Sequence, residues 1–183
     1  MKPERSDILI VLDLDETLIY ATRNKLEVPE DVLLDPYFVY IRPGLALFLQ
    51  ELKEHFDLAI WSSADDEYVA AIVERVIPAG IPFKFTWGRS RCSTRRNAYD
   101  EYYFEKRLEK VKRVGYELDK ILIVDDTHEK SRSNFGNAIY VKPFEGDPSD
   151  GELALLQQYL LSLKNMPGVR SLEKRGWRSA YSQ

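Results

Sequence analysis

Ile8-Leu9-Ile10-Val11-Leu12-Asp13-Leu14-Asp15-Glu16-Thr17 is the stretch from which the rest of this chain can be read. An unbroken apolar run bounded by charge predicts a strand buried on both faces. Asp13 and Asp15 stand where that strand ends, and on an extended chain residues two apart point the same way. Two carboxylates on one face repel each other unless a cation or a shared proton relieves them. That suits a metal-assisted site in which one carboxylate is a nucleophile and the other a proton shuttle. The plainer alternative is a charged turn leading into a helix, with Asp15 or Thr17 as its cap. Carboxylates seldom end a buried strand without a role, which favours the first reading.

Outward from this stretch, apolar segments of strand length alternate with segments of helical spacing. Tyr20 to Asp35 is polar and is expected to be a loop or flap. Tyr37 to Ile41 reads as a short strand, and Pro43 suits the first turn of a helix carrying Leu45, Phe48, Leu49 and Leu52. Leu58 to Trp61 reads as a second core strand that ends at Ser62-Ser63. A helix opened by Asp65 and Asp66 follows, through Val76, and Phe83 to Trp87 reads as another strand. Arg89 to Tyr103 is expected to be a loop or hairpin insert. Phe104 to Val114 is expected to be an amphipathic helix stopped at Gly115. Ile121 to Val124 and Ala138 to Val141 complete the strands, and Gly151 to Leu163 is a closing helix.

Such alternation implies an α/β fold, a parallel sheet with helices on both faces. Ligands bind such sheets at the carboxyl ends of the strands. Asp13/Asp15, Ser62/Ser63 and Asp125/Asp126 all directly follow core strands, so they are expected to form one site.

Asp13-Leu14-Asp15-Glu16-Thr17 resembles motif I, DxDxT, of the haloacid dehalogenase superfamily of phosphohydrolases. Within it, DLDETL is most similar to the carboxy-terminal-domain phosphatase branch, whose members include NLI-interacting-factor-like proteins. Leu58-Ala59-Ile60-Trp61-Ser62 resembles motif II, Lys106 resembles the motif III lysine, and Ile123-Val124-Asp125-Asp126-Thr127 resembles motif IV. Arg42-Pro43-Gly44 and the segment from Pro143 to Leu153 resemble further features of that branch, so the likeness runs from about Ile8 to Leu163.

The resemblance implies a three-layer Rossmannoid fold with a minimal cap. A phosphatase domain is expected over 1–165, with short inserts at about 20–37 and 89–103, and a basic tail over 166–183. It implies Asp13 as nucleophile, forming an aspartyl-phosphate, and Asp15 as general acid and then base. Magnesium would be held by Asp13, the main-chain carbonyl of Asp15 and Asp126. Asp125 would orient the lysine or a metal-bound water from behind. Thr17, Ser62 and Lys106 would bind phosphate; Ser63 is the alternative to Ser62, and Lys110 and Arg107 are alternatives to Lys106. Two departures stand out: Ser where relatives often carry Thr, and Asp126 where many carry Asn.

The short inserts lack the length of a large cap, so a phosphoserine- or phosphothreonine-bearing protein or peptide is the leading substrate class. A small-molecule or nucleotide phosphatase is the rival within enzymes, and a non-catalytic interaction module on the same fold is the rival outside them. A phosphoacceptor receiver domain fits poorly, because receivers pair their acids after the first strand and this chain splits Asp13 from Asp15.

The bulk properties limit the remaining options. The 183 residues favour one domain, and 44% hydrophobic and 31% charged residues suit a globular fold. A net charge of −4 argues against bulk nucleic-acid binding. One cysteine excludes an internal disulfide, and two histidines make a structural zinc site a poor fit. The segment from Met1 to Asp7 resembles neither a signal peptide nor a membrane span. A cytoplasmic protein is therefore expected. Arg89, Arg91, Arg95 and Arg96 suit either an anionic partner or a solvated loop. The tail, with Trp177, suits either docking on the body or binding a partner.

Overall fold

The computed structural model describes residues 6–180; the polar start of the chain and the last three tail residues lie outside the described residues. The strands and helices, in chain order, are β1 (Leu9–Leu12), β2 (Ile19–Thr22), β3 (Val32–Leu34), β4 (Tyr37–Ile41), α1 (Leu45–His55), β5 (Asp57–Trp61), α2 (Asp66–Val76), β6 (Phe83–Trp87), β7 (Ser93–Arg96), β8 (Tyr102–Glu105), β9 (Ile121–Asp125), β10 (Ala138–Tyr140) and α3 (Glu152–Ser162). Five of the strands form one sheet in the order β10-β9-β1-β5-β6, with every pair parallel.

β1 lies in the middle and is buried on both faces, as its unbroken apolar run requires. Alternation along the strands divides the core in two. Ile10, Leu12, Leu58, Ile60, Leu122, Val124 and Ile139 face α1, α2 and α3, which contribute residues such as Phe48, Ile72 and Leu156. Leu9, Val11, Ala59, Trp61, Ile121 and Ile123 face the other way, where Leu108 and Val111 cover them with the rings of Phe85, Trp87 and Tyr116 partly enclosed beside them. Helical segments therefore cover both faces, as the alternation predicts. They do so unequally, with three α-helices on one side and a 3-10 segment, Leu108–Val114, on the other.

The inserts depart from expectation. The segment expected to be a loop after the first strand contains β2 and β3, which pair antiparallel with β4 in a separate sheet ordered β2-β4-β3. The partner of β2 lies about twenty residues further on, so that pairing is invisible to a local pattern dominated by Arg23, Asn24 and Lys25, whereas β3 turns directly back into β4. The expected helix from Phe104 is also displaced. Phe104 and Glu105 belong to β8, paired with β7 in a hairpin whose Arg95 Nε lies 2.9 Å from Glu105 Oε2. Pro43 stands just before α1, whose N-cap is Gly44 at φ +82°, a left-handed conformation open to glycine.

The tail docks on the body. Trp177 stacks on Tyr159 at 5.5 Å, and its Nε1 donates to the Tyr140 carbonyl at 3.0 Å. Lys174 donates to the carbonyls of Gly136 at 2.8 Å and Leu172 at 3.0 Å, and also to that of Val169.

Arg42 joins three segments that frame the sheet's carboxyl edge. Its guanidinium is fully buried and grips Asp150 at 2.8 and 2.9 Å. It also donates to the carbonyls of Thr17 and Lys142, each at 2.9 Å. Truncating one partner of such a buried pair strands the other. Arg42→Met is expected to destabilise the fold by about 3 kcal/mol, read from the urea midpoint. A loss below about 1 kcal/mol, the range of an ordinary surface substitution, would refute this role.

Candidate active site

β9, β1 and β5 are neighbours, so the segments that leave their carboxyl ends converge. Asp13 follows β1, and its N–H donates to the Val124 carbonyl at 3.0 Å, continuing the ladder by one residue. The chain then turns sharply: the amides of Thr17, Leu18 and Ile19 all donate to the Leu14 carbonyl, and Glu16 takes φ +60°. This turn carries Asp15 and Thr17 back toward the site before β2 begins.

Asp13 is 1% exposed and sits between two ammonium groups. Lys106 Nζ lies 2.8 Å from Asp13 Oδ1 and 2.7 Å from Asp125 Oδ2, with no part of the lysine side chain exposed. Lys130 Nζ lies 3.5 Å from Asp13 Oδ2 and 3.7 Å from Asp126 Oδ1. Burial alone would raise the Asp13 carboxyl. The Lys106 and Lys130 ammoniums outweigh it and hold Asp13 below the usual carboxylate range. Lys106 is held above the usual lysine range, because Asp125 and Asp13 overcome a burial that opposes its charge.

Asp15 faces elsewhere. Its Oδ1 accepts the Tyr68 hydroxyl at 2.6 Å, and its Oδ2 accepts that of Ser62 at 3.5 Å. Burial pushes this carboxyl up, the Tyr68 hydroxyl opposes the rise, and the Asp13 charge adds to it; the net direction is upward. Two carboxyls two residues apart are thus driven in opposite directions by their surroundings.

Main-chain contacts fix the supporting residues. The Ser62 amide donates to the Trp87 carbonyl at 2.9 Å, and Ser62 Oγ accepts the Ala64 amide at 3.0 Å. Gly88 lets the chain after β6 come close to the start of α2, since a Cβ there would lie 2.8 Å from the Asp66 Cα. Ser62 therefore joins the cluster, whereas Ser63 presents its carbonyl to Arg89 Nε at 2.9 Å. Asn134 clamps the lysine segment, donating to the Lys106 carbonyl and accepting the Leu108 amide at 3.1 Å. Arg107 and Lys110 turn away, to Glu109 and to the carbonyls of Arg91 and Cys92. Thr17 is buried with its hydroxyl 3.4 Å from Asp126 Oδ1. Thr127 steadies both neighbouring acids, its amide on Asp125 at 2.9 Å and its hydroxyl on Asp126 at 2.7 Å.

One oxygen each from Asp13, Asp125 and Asp126 lie within 4.8 Å of one another. Asp13 Oδ1, although beside the Lys106 ammonium, makes no hydrogen bond of good geometry. Four carboxylates (Asp13, Asp15, Asp125 and Asp126) face two ammoniums, two positive charges short before Asp15 takes up a proton. Hard oxygen donors, an unbonded buried oxygen and that deficit fit a divalent cation. The Asp15 carboxylate is not among the converging oxygens; the part foreseen for Asp15 there is a main-chain carbonyl.

A family model described as NLI interacting factor-like phosphatase matches residues 8–170. The chain belongs to the NLI interacting factor-like phosphatase family. CTD nuclear envelope phosphatase 1B of Danio rerio is 26% identical over 182 residues, covering 91% of this chain and 71% of that protein. Nuclear envelope morphology protein 1 of Saccharomyces cerevisiae is 26% identical over 181 residues, covering 89% of this chain and 40% of that protein. Among solved structures, the fission yeast RNA polymerase II CTD phosphatase Fcp1, bound to beryllium fluoride, aligns with a TM-score of 0.59 at 18% identity. That alignment covers 86% of this chain and 50% of the Fcp1 chain, so this chain spans about half of it. A haloacid dehalogenase-like hydrolase from Bacteroides fragilis aligns with a TM-score of 0.52 at 11% identity, covering 82% of this chain and 93% of that one.

This NLI interacting factor-like phosphatase is therefore a phosphoric monoester hydrolase on a haloacid dehalogenase-type fold. One expectation is corrected. Several relatives are named for the nuclear envelope, which overturns a plain cytoplasmic location. A lone cysteine reports redox environment and not address. Among the described residues no helix is long and apolar enough to cross a membrane.

The sequence reading missed Tyr68, Lys130 and Asn134. Lys130 had a faint signal, standing four residues after Asp126, within reach along one helical turn. Tyr68 and Asn134 had none. Tyr68→Phe removes a donor that favours the Asp15 carboxylate while leaving its burial intact. The Asp15 side-chain carboxyl, followed by carbon-13 NMR, is expected to titrate at higher pH in this variant. An unchanged or lower midpoint would mean that the phenol does not govern it.

Proposed function

We propose that this phosphatase works through Asp13 as nucleophile and Asp15 as general acid and base, with magnesium as cofactor and a phosphorylated protein or peptide as substrate. The observation that carries the reading is the contrast between the two carboxyls. Asp13, flanked by Lys106 and Lys130, is kept ionised at neutral pH and ready to attack. Asp15, buried against Tyr68, is driven upward by its burial and by the Asp13 charge, the direction a proton donor needs.

Asp13 attacks phosphorus in line with the leaving oxygen and becomes an aspartyl-phosphate. Asp15 protonates the departing alkoxide. The resulting Asp15 carboxylate then takes a proton from a water, which attacks the aspartyl-phosphate and frees Asp13. Ser62 and Thr17, each buried beside the carboxylates, supply hydroxyl donors to phosphate oxygens. Lys106 draws charge from the phosphoryl group while held by Asp125. Asp13 and Asp126, with the Asp15 main-chain carbonyl, would hold magnesium, with Asp125 orienting Lys106. The ion would supply positive charge that lets an anionic phosphate approach Asp13.

The inserts support a macromolecular substrate. They are a three-stranded sheet and a two-stranded hairpin, without the helices of a large enclosing cap. The likeness to Fcp1, an RNA polymerase II CTD phosphatase, agrees with a protein substrate.

Hydrolysis of para-nitrophenyl phosphate is expected to need magnesium and to stop with chelator. Asp13→Asn should lower turnover by roughly a thousandfold or more and trap no phosphoenzyme. Normal turnover in that variant would exclude Asp13. Asp15→Asn should slow an alkyl phosphate by about a hundredfold or more, and para-nitrophenyl phosphate less, because that leaving group needs little protonation. Equal losses on both substrates would remove Asp15 as the acid. Preference for sugar or nucleotide monophosphates over phosphopeptides would overturn the substrate class.

A further inference from the structure

Lys130 differs from Lys106 in how firmly it is held. Lys106 is inaccessible, lies 2.8 and 2.7 Å from two carboxylates, and has its carbonyl clamped by Asn134. Lys130 makes longer contacts, 3.5 Å to Asp13 and 3.7 Å to Asp126, and its side chain is 25% exposed. Its main chain is anchored, since its carbonyl accepts the Lys106 amide at 2.7 Å. The backbone of Lys130 is therefore part of the frame, while its side chain is less enclosed and less tightly paired than that of Lys106.

Asp13 and Asp126 are also two of the three carboxylates that converge as ligands for a cation. Magnesium takes its oxygens at about 2.0–2.1 Å and tolerates little distortion. An ammonium on the same oxygens would repel it strongly, because water has little access there to screen the charges.

We propose that Lys130 is a tethered counter-ion that neutralises Asp13 and Asp126 before metal arrives and competes with the divalent cation for them. It thereby sets the metal concentration at which the site fills. This rests on the metal-assisted phosphatase reading above. Removing the ammonium removes the competitor, so metal binding tightens. It also leaves the carboxylates underneutralised without metal, so the metal-free protein weakens. A residue that merely packed would not produce these opposite effects.

The test uses the full chain, titrated with magnesium chloride by calorimetry and melted in chelator and in saturating magnesium. Lys130→Met is expected to bind magnesium about tenfold more tightly than the parent. It should melt lower than the parent in chelator and show a larger rise on adding magnesium. Lys130→Arg, which keeps the charge, should retain the parent's affinity within about threefold. Lys130→Gln, with a polar tip of similar reach, should behave as Lys130→Met does and covers the case in which the apolar variant fails to fold. Equal affinity and an equal magnesium-induced rise in parent and neutral variants would overturn the proposal. A parent that binds no magnesium would overturn both this proposal and the metal in the proposed function. Binding in the expected order without phosphate hydrolysis would uphold Lys130 as counter-ion and overturn the catalytic reading alone.

Discussion

The buried bridge from Lys106 to Asp13 and Asp125 is the interaction around which this structure is organised. An ammonium without solvent contact is tolerable only where anions surround it, and anions this deep are tolerable only beside a cation. The bridge ties the ends of β1 and β9 to the segment after β8, three parts of the chain far apart in sequence. Asn134 and the Lys130 carbonyl then fix the lysine's own main chain. Register matters here, because Asp125 is the last residue of β9 and a slip of one position would turn its side chain to the other face.

The sheet makes that register dependable. β1 has strands on both sides and side chains packed on both faces, so every residue in it is buried. The two edges of the sheet are treated differently. β6 exposes Lys84 and Thr86 on alternate positions, which discourages further pairing. Beyond β10 lies the docked tail, where Trp177 and Arg178 both donate to the Tyr140 carbonyl. Tyr140 is paired in register with Asp125. The tail therefore covers β10, the edge strand next to the one that carries an acid of the cluster, a structural task that its basic composition did not disclose.

Legibility followed the range of the forces involved. The core strands and the three α-helices were readable because burial writes a local pattern of apolar positions that survives any tertiary context. The acids were readable because charge at the end of an apolar strand contradicts that pattern. β2 and β3 were not, since both are short, their hydrogen bonds go to β4, and the largely polar stretch from Arg23 to Asp31 separates them. Phe104 and Glu105 kept a helical periodicity yet became strand, because the hairpin partner and the Arg95 contact outweighed propensity. Lys106 could be read only from the order of motifs. In isolation it resembles any lysine of a charged stretch, and nothing local says that it will be buried. Tyr68, on α2, meets Asp15 across 53 residues of sequence, a relation that exists in three dimensions alone.

The cluster also bears on why a fold would keep such a site. Two lysines and four aspartates gathered at one end of a sheet do not hold it together efficiently. Replacing a buried ion pair with apolar residues of similar volume is often neutral or stabilising by about 1–4 kcal/mol. A scaffold that needed only to present a surface would lose nothing by filling this space with leucine or methionine. Here the charges are retained and kept unequal: Asp13 is stabilised as an anion between two ammoniums, while Asp15, two residues away, is steered toward its neutral form. Stability alone gives no reason to drive two neighbouring carboxyls in opposite directions. Phosphoryl transfer does, because it needs an anion to attack and a proton to give away within the same few ångströms.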